Sequence, residues 1–207
     1  TQSFVDQIQS QNAKVADAHQ TQDGRLAYVT PPLADDVRIS GTPEVQVRMS
    51  TDAESGLLSA LLVDYGEAET FTATGKDPLE VVSEPCEPEN LAERTGCAEP
   101  MEVSVEITPE RVLAWGHIDV KNSVDLRRSE PLKPGKKYNV RWTTLPSDHI
   151  IPAGHRIGLV ITGNYNASPS SNRPARDPEA IGSEITVELN GSRLILPVVG
   201  GSDALGF

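Results

Sequence analysis

From Arg25 onward the apolar residues recur every second position, the period of a strand with one buried face. Leu26 and Tyr28 alternate until Pro31-Pro32, and Val37 and Ile39 alternate until Ser40-Gly41. Val45, Val47 and Met49 share one face, with Gln46 and Arg48 on the other. Leu57 to Tyr65 and Ile157 to Thr162 are almost continuously apolar, the pattern of strands covered on both faces. Alternation returns at Met101 to Ile107, Val112 to Val120 and Tyr138 to Trp142. Near the end, Ile185-Val187-Leu189 and Leu194-Leu196-Val198 flank Asn190-Gly191, which reads as a two-residue hairpin. About ten short strands without a long helix predict an all-β fold, a β-sandwich of jelly-roll type.

The ends differ from this pattern. Thr1 to Gln22 is polar, with an apolar stripe of one turn at Phe4, Val5 and Ile8, so residues 1–24 read as a linker or lead-in. Residues 25–201 form the predicted sandwich and 202–207 a C-terminal tail. Gly163 to Pro178 is polar and turn-rich and reads as a long exposed loop. The chain starts at Thr1, which suggests a processed or excised piece.

Charge narrows the function classes. The formal net charge of −12 disfavours tracking of nucleic-acid phosphates or adhesion to an anionic membrane. Neither nucleic acid nor membrane is therefore an expected partner. Cys86 and Cys97 stand in the Pro-flanked segment PCEPENLAERTGC, with no CxxC pair and no histidine at ligand spacing. They suit a disulfide closing that loop, worth about 3 kcal/mol by loop entropy, with two free thiols as the alternative. A disulfide would place the protein outside a reducing compartment.

Candidate chemistry is sparse. No GxSxG nucleophile elbow occurs, and no catalytic residue, metal ligand set or cofactor site is predicted. His149 stands beside Asp148, which suggests a base and its orienting acid, yet neighbours on a strand point to opposite faces. In the competing reading His149 and His155 belong to a loop and bond backbone. Trp115 and Trp142 alternate within strands and are expected in the core, whereas Tyr165 in the polar loop is the better ligand contact. Asp148, His149 and Tyr165 are thus the candidate ligand or interface residues.

Four segments in order carry a resemblance: RLAYVTPPLADDVRISGTPEVQVRMS, LLSALLVDYG, EPLKPGKKYNVRWTTLPSDHIIPAGHRIGLVITG and LILPVVGG. Together they resemble the C-terminal domain of the Xaa-Pro dipeptidyl-peptidase family, shared with cocaine-esterase-like (CocE/NonD) serine hydrolases. The resemblance implies a galactose-binding-like jelly roll appended to an upstream α/β-hydrolase domain that holds the serine, aspartate and histidine of the triad. It implies a non-catalytic accessory role in a secreted bacterial peptidase, with that upstream domain as partner and a homo-oligomer as a further expectation. An accessory domain of an esterase or acylase and a stand-alone carbohydrate-binding module are the alternatives.

Overall fold

A computed structural model describes residues 1–16, 24–71, 79–81, 101–103, 105–166 and 177–206. The chain divides into two units, Thr1–Gly66 with Glu110–Phe207, and Glu67–Pro109.

The larger unit contains two four-stranded sheets. The first has the order β1-β14-β5-β10, from β1 (Gln2–Val5), β14 (Glu184–Ile195), β5 (Glu44–Thr51) and β10 (Tyr138–Thr143), all antiparallel. The second has the order β3-β12-β6-β9, from β3 (Arg25–Val29), β12 (Arg156–Thr162), β6 (Leu57–Phe71) and β9 (Val105–Asp119). Their inner faces share one core. Val45, Val47 and Met49 of β5, Val140 and Trp142 of β10 and Ile185 of β14 meet Leu26, Leu58, Ala60 and Ile161 of the second sheet. The chain is an antiparallel all-β sandwich, as the period of two predicts.

The second sheet is covered on its outer face as well, which explains the unbroken apolar runs of β6 and β12. Leu57, Leu61, Val63 and Tyr65 of β6 and Val160 of β12 pack against Val15 and Tyr165. Val15 ends a short helix, α1 (Gln11–Val15), and Tyr165 opens β13 (Tyr165–Asn166), which pairs in parallel with β2 (Gln9–Ser10). A third cluster lies under the ribbon of β4 (Val37–Gly41) and β11 (Ser147–Ile151), where Val37, Ile39 and Ile151 meet Leu62 and Ile157.

Several expectations are corrected here. Residues 1–16 are part of the sandwich rather than a lead-in: β1 pairs with β14, and Phe4 is buried in the shared core. The Asn190-Gly191 hairpin is absent, because Ile185 to Leu189 and Leu194 belong to the single strand β14, whose two halves pair with the same partner, β5, while Val198 bridges Ile39. Glu188 faces Arg48 and Arg193 faces Gln46, so Leu189 to Ser192 bulge out opposite Val47. The Ser192 hydroxyl fastens the bulge, donating to Glu188 O (2.6 Å) and accepting from Arg48 N (3.0 Å). Trp142 is in the core as expected, but Trp115 is 39 % exposed. The C-terminal tail forms a 3-10 turn, Ser202–Leu205, with Leu205 packed on the third cluster.

The smaller unit holds the distal ends of β6 and β9 and a ribbon of β7 (Leu79–Val81) with β8 (Met101–Val103). Thr70 and Thr108 bridge its two long strands through their hydroxyls at 3.3 Å.

Candidate functional site

The predicted site residues do not converge. Cys86 and Cys97 lie outside the described residues. Tyr165 is no surface contact: it is 1 % exposed, closes the outer face of the second sheet, and has its phenol pushed up to about 12 by burial. The loop read as exposed turns inward at Gly163, Asn164 and Tyr165 because that apolar face requires cover.

Asp148 and His149 diverge, as strand geometry requires. Asp148 points to solvent and accepts two bonds from Arg38, at 2.8 Å from Nε and 2.7 Å from NH2. This bidentate pair holds its carboxyl below the usual range. His149 points inward to Asp64, a residue that sequence reasoning overlooked. Asp64 is 1 % exposed in the middle of β6, and its two oxygens face two imidazoles. His155 Nδ1 lies 2.8 Å from Oδ1, and His149 Nε2 lies 3.5 Å from Oδ2. The His155 ring therefore hydrogen-bonds a carboxylate rather than backbone, and the His149 ring faces the same carboxylate at 3.5 Å. The signal was present in LLVDYG, since a charge inside a run buried on both faces needs a partner.

Chemically this constellation is a clamp. Among the described residues the partner of both rings is the Asp64 carboxylate, and no hydroxyl or thiol hydrogen-bonds to either. It ties β6 to β11 and to the turn before β12. His155 is seated against Gly66, where a Cβ would stand 2.3 Å from the ring.

A second polar constellation lies where residues 1–16 cross the second sheet. Asp6 and Asn164 are both fully buried; Asn164 donates to Asp6 from its backbone N (2.7 Å) and from Nδ2 (2.5 Å). Asn164 Nδ2 also donates to Asp177 O (3.2 Å), and Asp177 N donates back to Asn164 Oδ1 (2.6 Å). Ser55 and Lys121 reach the Asp177 carboxylate. Lys14, equally buried, donates from Nζ to Gly24 O (2.7 Å) and Gln7 O (3.0 Å). Glycine makes the room. A Cβ on Gly24 would stand 2.7 Å from Lys14 Nζ, and one on Gly163 would stand 2.2 Å from the Asp6 carboxylate.

Burial dominates the electrostatics of this network. It raises the Asp6 carboxyl, against the opposing bonds from Asn164. It lowers the Lys14 ammonium from 10.5 to about 8, with Asp6 opposing and Arg25 reinforcing the shift. Between those two values the unfolded chain holds a proton on this lysine that the folded one has released. Stability therefore rises with pH across that window, by about 3 kcal/mol in total. Urea unfolding at pH 7 to 10 of the wild type and of Lys14→Met checks this: the wild type gains on the variant as pH rises. Parallel curves would contradict it.

Comparison with known proteins completes the picture. Residues 1–188 match the family described as "X-Pro dipeptidyl-peptidase C-terminal non-catalytic domain". A Streptomyces avermitilis relative named "Putative Xaa-Pro dipeptidyl-peptidase" is 28 % identical over 207 residues, 99 % of this chain and 30 % of that protein. A Xaa-Pro dipeptidyl-peptidase of Pediococcus pentosaceus is 29 % identical over 144 residues, 69 % of this chain and 17 % of its own length. This chain thus spans under a third of the relatives it matches. Solved structures agree on the fold. An aminopeptidase from a marine sediment Thaumarchaeota archaeon aligns over 95 % of this chain and 28 % of its own, with TM-score 0.59 and 16 % identity. A CocE/NonD family hydrolase from Staphylococcus aureus aligns over 84 % of this chain and 30 % of its own, with TM-score 0.55 and 16 % identity. With a match that runs from Thr1 into the start of β14, the chain belongs to the X-Pro dipeptidyl-peptidase C-terminal non-catalytic domain family.

Proposed function

We propose that this chain is the accessory domain of a secreted α/β-hydrolase-type serine peptidase that releases Xaa-Pro dipeptides. It packs on the upstream hydrolase domain of the same polypeptide and shapes the rim of its active site. The observation that carries the reading is the family match over residues 1–188. The relatives' greater length leaves room for a catalytic domain outside the matched part. The sandwich is assigned to the galactose-binding-like jelly rolls. Acyl transfer belongs to a serine of the upstream domain, through an acyl-enzyme. This chain contributes a rigid surface stiffened by the Asp64 clamp and the Asp6–Asn164 network. Secretion is supported by the Cys86–Cys97 spacing, which suits a disulfide. A homo-oligomer fits the same scheme.

A second reading has its own support: one structural neighbour is named an alpha-amino acid ester hydrolase, aligned over 93 % of this chain at TM-score 0.57. In that reading the same domain accompanies an esterase or acylase. The full-length protein, assayed on Xaa-Pro p-nitroanilides and on matched amino-acid esters, separates the two. Cleavage after the penultimate proline is expected, with both cysteines resisting alkylation until a reductant is added. Ester turnover with no dipeptide release would move the assignment to the second reading.

A further inference from the structure

The side of the sandwich next to β1 carries an open apolar groove of about 340 Å³. Tyr28 of β3 and Leu159 of β12 form one wall, and Val47 of β5 with Leu189 and Leu194 of β14 the other. The volume is that of a small binding site, and the lining is nearly all hydrocarbon.

The strand pairing explains why this side is open. β1 is the edge strand of the first sheet and covers only the beginning of β14, from Val5 opposite Glu184 to Gln2 opposite Val187. Among the described residues no strand pairs with that edge of β14 beyond Val187. Glu188 to Ile195 consequently present a free edge, with Leu189 46 % and Ile195 43 % exposed. Free edges with apolar neighbours are normally paired or covered.

The direction of β1 indicates what covers this one. Because β1 and β14 are antiparallel, moving back along β1 means moving forward along β14. One step beyond the Gln2–Val187 pair sets Thr1 beside Glu188, and the residue before Thr1 falls beside Leu189, at the mouth of the groove. We infer that the groove between β3 and β14 seats the polypeptide immediately upstream of Thr1, which continues β1 as an extended strand with apolar side chains at alternate positions. The bulge at Leu189 to Ser192 breaks the ladder there. Past Leu189, side chains in the groove hold the segment more than backbone bonds do. A covalently continuous strand also outcompetes a second copy for the same edge, because its effective concentration is set by the chain itself.

This inference rests on the accessory-domain reading, in which polypeptide precedes Thr1 and leads from the hydrolase domain. In that case the groove is the joint between the two domains, and its filling fixes their relative orientation. The test uses the full-length protein with a benzophenone amino acid at position 189, and at exposed position 150 as a control. Irradiation and peptide mapping are expected to link position 189, and not position 150, to the residues just before Thr1. Links to a second copy, to a distant part of the hydrolase domain, or none at all would overturn the inference. A link to a distant part of the hydrolase domain would still leave the accessory-domain reading standing, which falls only if no such domain lies upstream. Limited proteolysis gives an independent readout: Leu189→Asp is expected to speed cleavage just before Thr1, and Ile150→Asp is not. Equal rates in the two variants would also overturn it.

Discussion

Replacing Asn164 by alanine is expected to destabilise the domain by about 3–5 kcal/mol, a large part of the stability of an ordinary domain. The side chain makes three buried hydrogen bonds, to the Asp6 carboxylate and to both backbone groups of Asp177. Truncation leaves the amide of Asp177 without its Asn164 acceptor, leaves the Asp177 carbonyl with Ala180 N alone, and removes a donor from a carboxyl that burial already disfavours in its charged form. Water has no easy access, since Asn164 is fully buried and Asp177 is 8 % exposed. The effect extends beyond the loop. Asp6 lies between β1 and β2, so its displacement loosens residues 1–16, and with them the cover over Leu61 and Val63. Urea unfolding, with exposure of Tyr165 read by fluorescence quenching, measures both. A loss below about 1 kcal/mol, the worth of one ordinary hydrogen bond, would show that the network does not anchor the N-terminal segment.

The second large effect is expected at Asp64. Asp64→Ala removes the hydrogen-bond partner of His155 and the carboxylate that faces His149, and leaves a cavity in β6, at a cost of about 2–4 kcal/mol. Asp148→Ala, one position from His149, is expected to leave the melting temperature unchanged. Its Arg38 pair stands in solvent, with the two side chains 52 % and 57 % exposed. The contrast is diagnostic, because a functional Asp148–His149 pair would predict the opposite order. His155→Ala should fall nearer to Asp64→Ala than His149→Ala does, since its contact is 2.8 Å against 3.5 Å. Thermal melts of the four variants give that order directly.

What was legible in the chain follows from the range of each signal. Strand periodicity is local, and it located the strands from β3 onward in both main sheets, with β14 split in two, together with the double-sided burial of β6 and β12; β1 escaped it. Asn190-Gly191 is local too, but a turn dipeptide in a bulge has the same composition as one in a hairpin. Only the continuous partner β5 separates them, and Gly191 supplies the positive φ of 108° in either case. The burial of Tyr165 and of residues 1–16 has a non-local cause. Once β6 is apolar on both faces, something must cover the outer one, and composition cannot say which polar-looking segments do so. The ion network is less legible still, since Asp6 and Asn164 are 158 positions apart. Asp64 is the exception, since a lone carboxylate in LLSALLVDYG already demands a partner, and HIIPAGH supplies two.

The central claim is that this chain carries no acyl-transfer chemistry of its own and serves a hydrolase domain that precedes it. Treating the full-length protein with a fluorophosphonate probe and mapping the labelled residue tests it most directly. The account predicts a single labelled serine upstream of Thr1, with residues 1–207 unmodified. A label on any serine within those residues would contradict it.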